Sequence, residues 1–130
     1  MLTAALLATA LLFGGMVLYS FGFAAFLFTA LPAEVAGPTI RRAFPLFYLF
    51  VMVTAVVAAC LSWSFDPTAA ALLAGVAVTT LPTRQLLMPA VNRATDEGAR
   101  GRFKALHGLS VVITLAHIAT VGIVLARYLP

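Results

Sequence analysis

Four long stretches of apolar residues, separated by short polar segments, dominate the sequence. They predict membrane helices over residues 2–29, 44–65, 67–90 and 105–128. Each stretch is long enough to cross the ~30 Å hydrocarbon core of a bilayer, which takes about 20 apolar residues in an α-helix. Because the connections are short, neighbouring helices should run antiparallel. The pattern predicts an all-α integral membrane four-helix bundle of two helical hairpins, with residues 1–130 as a single transmembrane domain.

Composition excludes a water-soluble fold. Of the 130 residues, 63% are hydrophobic and only 9% are charged, whereas soluble domains carry about 25% charged residues. The four helices use nearly the whole chain and leave no room for a soluble catalytic domain. The first charged residue is Glu34. A cleaved leader would begin with basic residues, so we expect the first apolar stretch to be retained as a helix.

The basic residues predict an orientation. The first loop, residues 30–43, holds two arginines, and the third, residues 84–105, begins with Arg84 and holds four further basic residues. Only Arg127 lies on the opposite side. The positive-inside rule therefore makes loops one and three cytoplasmic and both termini external, in a bacterial cytoplasmic membrane. We expect no nucleic-acid partner. Six of these side chains should contact lipid headgroups: Arg41, Arg42, Arg93, Arg100, Arg102 and Lys104.

Local signals mark several helix ends and interfaces. Asp66 followed by Pro67 predicts an N-cap and a tight turn before the third helix. Pro82 predicts a kink in that helix. Two sets of aromatic residues lie near predicted helix ends: Trp63, Phe65 and Tyr128 on the outer side, and Phe44, Phe47 and Tyr48 on the inner side. The outer set suits the membrane interface. The inner set could serve the same purpose or could pack in the core or against lipid.

Small residues at four-residue spacing are candidate contact surfaces between helices. Helices associate in lipid through close backbone approach at such residues. The candidates are Ala10 with Gly14, Ala71 with Gly75 and Thr79, and Gly122 with Ala126. The same signal is used for contacts with other membrane proteins, so it predicts either internal packing or association with further subunits.

Two histidines are the only residues within the helices that invite a chemical role. His117 falls near the bilayer centre, where an ionisable group is a functional hypothesis by default. A haem held within one chain would need His117 and a second ligand such as Met16 or Met52. The alternative is a neutral imidazole that forms a hydrogen bond across helices. No catalytic residue and no metal cluster is predicted, and haem is the one cofactor that the pattern allows.

The segment Phe103-Lys104-Ala105-Leu106-His107-Gly108-Leu109-Ser110 resembles the signature of the transmembrane protein 205-like domain family. The signature positions are Leu106, His107, Gly108 and Ser110, and Pro32 and Pro45 fit the pattern around the first loop. The resemblance implies four membrane helices and a distant kinship with copper-resistance D-like proteins and the membrane haem-biosynthesis oxidase. Two departures stand out. Thr114 replaces an asparagine common in the family, and the early-helix histidine of that oxidase is absent.

These observations favour one function and leave two alternatives. Minimal loops and small-residue surfaces predict a non-enzymatic accessory or assembly subunit that packs against other membrane proteins. The first alternative is a haem- or metal-binding redox protein that uses His117. The second is a small-molecule or metal-ion transporter, although the helices lack the buried charges that usually mark a transport pathway.

Overall fold

The structure, a computed structural model, describes all residues Met1–Pro130 and consists of helices joined by short turns. The helices are α1 (Leu2–Ala30), α2 (Ala33–Ser62), α3 (Pro67–Asp96) and α4 (Arg100–Arg127), and each is long and apolar enough to cross a membrane. The prediction of an all-α four-helix membrane bundle is confirmed.

The helices form a ring in chain order. α2 packs against α1 and α3, and α4 closes the ring between α3 and α1. The α1–α2 and α3–α4 turns therefore lie at one end, the arginine end, and the α2–α3 turn lies with both termini at the other, the Asp66 end. We call residues 17–47 and 83–114 the arginine half, and residues 1–16, 48–82 and 115–130 the Asp66 half.

Three helix ends extend further towards the arginine end than the apolar pattern predicts. α2 begins at Ala33 rather than Phe44, α3 continues to Asp96, and α4 begins at Arg100. The expected loops over residues 30–43 and 84–105 are thus largely helical. At 1.5 Å per residue a helix of this length spans about 45 Å, more than the hydrocarbon core, so its polar end can remain helical among the headgroups.

The turns at the two ends have identifiable causes. The Asp66 carboxylate caps α3 by accepting a hydrogen bond from the Ala69 N–H at 3.0 Å, and Pro67 takes the first helical position. This confirms the predicted N-cap. At the other end Gly98 has a φ of 65°. Its left-handed conformation ends α3, and the Ala99 N–H donates to the Ala94 carbonyl at 2.9 Å.

Two wide turns interrupt the helices just beyond their midpoints, on the arginine side. α1 is π-helical over Leu18–Phe23 and α3 over Thr83–Leu87. In α3, the Met88 N–H donates to the Thr83 carbonyl, five residues back. Pro82 precedes this turn and Pro89 follows it. A proline ring clashes with the carbonyl four residues earlier in a regular helix, and a wider turn relieves that clash.

The core lies mainly in the Asp66 half. Most of the 27 buried residues belong to it, and many of them are alanines on α2 and α3. The arginine half contributes only Leu27, Ala36, Phe47, Thr83, Val91, Ala94 and Ser110. Alanine lets helix backbones approach closely, so the four helices pack tightly in one half and leave space between them in the other.

Candidate functional site

The arginine half contains a cavity of about 890 Å³ between all four helices. We call it the inner cavity. Its wall next to the packed core includes Phe44 and Tyr48, part of an aromatic cluster in which the Tyr19 and Phe47 rings stack at 4.6 Å. Phe47 and Tyr48 are 4% and 5% exposed. Of the two roles open for the inner aromatic set, these two residues therefore take the core one.

Polar side chains of α4 follow one face of that helix into the inner cavity. His107, Ser110 and Thr114 line it, and their spacing of three and four residues puts them on a common stripe about 10 Å long. The His107 ring stacks on Phe103 with centroids 5.3 Å apart. Thr114 lies beside the Tyr48 phenol.

Several residues of the predicted family signature surround this cavity. Pro45, His107 and Ser110 contribute to its lining. Leu106 and Gly108 lie on other faces of α4, and Pro32 lies in the turn before α2. The predicted helix over residues 105–128 would place His107 near a helix start. Because α4 instead begins at Arg100, His107 lies in its third turn.

Charged residues stand at the arginine end of the cavity. Arg41 Nη1 donates to Asp96 Oδ1 at 2.9 Å and joins α2 to the end of α3. Arg42 also lines the cavity but has no ion-pair partner in the protein. Nearby, Arg102 pairs with Glu97. Thus Arg41 and Arg102, both expected to contact lipid headgroups, also form ion pairs within the protein.

Further basic residues are distributed around this end. Arg93, Arg100 and Lys104 are exposed and lie outside the cavity lining, where lipid headgroups are accessible to them. Arg84 instead points to a neighbouring helix, and its Nε donates to the Pro45 carbonyl at 3.1 Å.

One buried hydroxyl among the residues that line the cavity has no hydrogen-bond partner. Ser20 belongs to the π-helical turn of α1 and lines the inner cavity, and its hydroxyl oxygen is buried without a hydrogen bond. By contrast, Thr9, Thr39 and Thr80 each donate to the carbonyl four residues earlier at 2.7 Å. Buried hydroxyls are normally paired, so Ser20 is an exception that no group of the protein satisfies.

The histidine near the bilayer centre makes a contact across helices. His117 Nε2 lies 2.7 Å from Thr79 Oγ1. Since Thr79 Oγ1 also lies 2.7 Å from the Gly75 carbonyl, to which it can donate its single hydrogen, the imidazole can act as donor to Thr79. This arrangement matches the alternative of a neutral imidazole joined to a hydroxyl on another helix.

The three residues considered for haem ligation lie outside the inner cavity. Met16 is 1% exposed and packs in the hydrophobic core. None of Met16, Met52 and His117 lines the inner cavity. A haem needs space beside its axial ligands, and His117 already has its Nε2 occupied by a hydrogen bond.

The Asp66 end is closed by contacts that sequence reasoning did not anticipate. Arg127 donates through Nε and Nη2 to the two carboxylate oxygens of Asp66, both at 2.9 Å. One residue further on, the Tyr128 hydroxyl bonds the Ser62 hydroxyl. We call these four residues the clasp. Arg127 is the main reason that the pKa of Asp66 is lowered, and the Ala69 N–H adds to the effect. The only signal in the sequence was that Arg127 and Asp66 share a side.

Most of the candidate contact surfaces made of small residues face outward. A Cβ built on Gly14 or on Gly75 would meet nothing within 4 Å, and Ala10 and Ala71 are exposed. Two members of these sets do make contacts: Gly122, with Phe13 Cε2 3.4 Å from its Cβ position, and Thr79, which bonds His117. The surfaces of Ala10 with Gly14 and of Ala71 with Gly75 therefore remain available to other membrane helices.

The comparison with known families gives one match. A family model described as "Domain of unknown function (DUF4149)" matches residues 7–100. The chain belongs to this family. The matched residues cover α2, α3 and nearly all of α1, whereas α4, with His107 and His117, follows them. No curated protein and no solved structure matches the chain.

Proposed function

We propose that this DUF4149 family member is a non-enzymatic accessory or assembly subunit that packs against other membrane proteins. The observation that carries the proposal is the outer surface of α3 in the Asp66 half. Over residues 68–77 the exposed residues of this helix are all small, namely Thr68, Ala71, Ala74 and Gly75, and the bulkier exposed residues Val78 and Leu81 follow them. We call the four small residues the small-residue face.

The exposed surfaces of the neighbouring helices differ from this face. α2 presents Leu49, Val53 and Val57, which are 44–55% exposed, and α4 presents Ile123 at 58%. Such bulky apolar side chains suit contact with lipid tails. A surface without large side chains lets another helix come close enough for backbone contact, which is the main source of association in lipid.

The experiment compares two leucine variants after extraction in a mild detergent. Gly75→Leu obstructs the small-residue face, whereas Val57→Leu changes an exposed position on α2 and serves as the control. We expect proteins that co-purify with the wild type, identified by mass spectrometry, to be lost from Gly75→Leu and retained by Val57→Leu. Recovery of the wild type only as an isolated monomer would contradict the proposal.

We propose further that the arginine end is cytoplasmic and that the host membrane is a bacterial cytoplasmic membrane. Seven of the eight basic residues lie on the arginine side and only Arg127 lies opposite, which supports this orientation. A phosphatase reporter fused after Pro130 should then be active, because that enzyme works outside the cytoplasm. An inactive phosphatase fusion together with an active cytoplasmic reporter at the same position would reverse the orientation.

Haem binding through His117 stays a prediction with a simple test. The fit of the residues does not favour it, so we expect the purified protein to lack a Soret absorption band. A band that disappears in His117→Ala would replace the accessory function with a redox one.

A further inference from the structure

We propose that the inner cavity binds one anionic phospholipid, with the phosphate near Arg42 and the acyl chains leaving between α1 and α4. The size of the space is suitable, because ligand pockets in proteins span about 300–1,000 Å³ and this one measures about 890 Å³. Residues of all four helices line the cavity. Binding inside it would therefore differ from the general contact of basic surface residues with lipid headgroups.

The charge of the lining favours an anion. Arg41, Arg42 and Asp96 are its charged residues, and Arg41 is paired with Asp96. Arg42 is left as an unpaired positive charge beside the cavity. A guanidinium in such a position offers several N–H donors to a phosphate group, and this geometry makes arginine a frequent phosphate ligand.

Polar groups without partners continue from this charge into the bundle. The buried Ser20 hydroxyl has no hydrogen bond, and the Asn92 side chain also lines the cavity without a bond to another residue. The amide N–H groups of Asn92 are donors that suit the ester oxygens of a lipid, which lie next to its phosphate and accept hydrogen bonds.

The side of the cavity opens towards the hydrocarbon. α1 packs against α4 mainly through residues 2–17, so the two helices separate in the arginine half. Residues on both sides of this gap line the cavity and remain exposed: Phe21 at 55%, Phe28 at 57%, Val111 at 41% and Leu115 at 45%. An apolar exit next to a positive charge fits an amphiphile with an anionic head and hydrocarbon tails. A free anion would make no use of the exit, and a zwitterionic lipid would match the charge less well.

The test uses the full chain, purified in detergent and depleted of lipid, with native mass spectrometry to count bound phosphatidylglycerol. Phosphatidylcholine with the same acyl chains is the headgroup control, and glycerol phosphate is the control for a head without tails. We expect one tightly retained phosphatidylglycerol per chain, weaker retention of phosphatidylcholine, and no displacement by glycerol phosphate at lipid-equivalent concentrations.

Two pairs of variants locate the site. Arg42→Gln should weaken phosphatidylglycerol binding about tenfold, the loss expected for one charge-assisted hydrogen bond, whereas Arg93→Gln removes an equal charge outside the cavity and should have little effect. Gly37→Leu should fill the cavity and block binding, because a Cβ there meets open space. Gly101→Leu is its control, since Gly101 is equally open but lies outside the lining.

Three outcomes would overturn the proposal. The first is equal retention of the two phospholipids. The second is equal weakening by Arg42→Gln and Arg93→Gln, which would indicate a general attraction to the basic end. The third is displacement by glycerol phosphate alone. Size-exclusion profiles confirm that each variant is folded, and should Gly37→Leu aggregate, the two arginine variants still decide between a specific site and a general attraction.

Discussion

The two halves of the bundle use the same four helices and differ in how closely those helices approach. In the Asp66 half, Ala55, Ala58 and Ala69 are completely buried, and the clasp joins the α2–α3 turn to the end of α4. In the arginine half α1 separates from α4 and α2 from α3 around the inner cavity, while α3 stays packed against α4. The charged residues at the end of the cavity form only exposed pairs. A membrane bundle can thus be held together at one end while the other end stays open to a ligand.

The difference follows from the residues available to each half. Alanine and threonine allow close approach in the Asp66 half. The arginine half contains the aromatic cluster around Tyr19, the prolines Pro38 and Pro45 inside α2, and both π-helical turns. Bulky rings and widened turns keep the backbones apart and turn helix faces away from one another. Five predictions examine this contrast, from the largest expected effect to the smallest.

The largest effect should come from the removal of a buried side chain of α1 in the packed half. Leu12 is 0% exposed, and Leu12→Ala leaves a void that neighbouring helices cannot easily fill. We expect the free energy of unfolding to fall by about 2 kcal/mol, which is the cost of the void that the substitution leaves. Phe28→Ala removes a larger side chain from the open half but should cost less than about 0.5 kcal/mol. Equilibrium unfolding in mixed micelles measures both, and equal losses would contradict the contrast.

The next effect should come from the clasp. Asp66→Asn removes the charge on one side of the ion pair with Arg127 but can still cap α3, whereas Asp66→Ala removes both functions. We therefore expect the melting temperature to fall for both variants, and further for Asp66→Ala. Light scattering during a thermal ramp in detergent measures the melting temperature. Two variants that melt with the wild type would mean that the clasp does not hold this end.

The clasp also predicts a dependence on pH. The pKa of Asp66 is lowered in the folded protein, mainly by Arg127, so the stabilisation is fully present above the ordinary carboxyl pKa of about 3.9. It is lost as the pH falls through the lowered pKa. The melting-temperature difference between wild type and Asp66→Asn should therefore be constant near neutral pH and shrink only below about pH 4. A difference that shrinks between pH 5 and 7 would assign the effect to another group.

A smaller effect is expected for the bond between Thr79 and His117. Hydrogen bonds between membrane helices contribute about 0.6 kcal/mol on average. The double-mutant cycle of Thr79→Val and His117→Phe should give a coupling energy of that order, measured by the same unfolding experiment. Strictly additive effects of the two substitutions would show that the short distance carries no energetic coupling.

The smallest effect should come from the ion pair at the open end. The Arg41 and Asp96 side chains are 38% and 62% exposed, and exposed pairs contribute about 0.2–1 kcal/mol at most. Arg41→Gln should therefore change the melting temperature less than any clasp variant, and the change should vanish in high salt. A larger fall in melting temperature for Arg41→Gln than for Asp66→Asn would place the stabilising contacts at the arginine end.

The sequence predicts the number of helices because long apolar stretches have one stable state in a bilayer. It also predicts the Asp66 cap and the turn before α3. On the arginine side the helices extend beyond the predicted spans, since the apolar pattern stops at the edge of the hydrocarbon while the helix continues. Glu34, Arg41 and Arg42 therefore lie on the first turns of α2 and not in a loop.

The candidate site was less accessible to sequence reasoning. His107 and Ser110 were singled out from the resemblance, but the space beside them depends on how four separate helices diverge. Ser20 carries no local signal, because a lone polar residue in an apolar stretch usually bonds its own helix. Only the three-dimensional structure reveals that Ser20 has no such bond.

The most direct test of the contrast between the halves compares two cysteines on one face of α4. Thr114 lines the inner cavity and Val121, two helical turns further on, is 0% exposed. In a Cys60→Ala background, delipidated protein in detergent is treated with a small water-soluble thiol reagent. We predict rapid modification of Thr114→Cys and protection of Val121→Cys. Equal reactivity at the two positions would contradict a bundle that is open at the arginine end and closed at the Asp66 end.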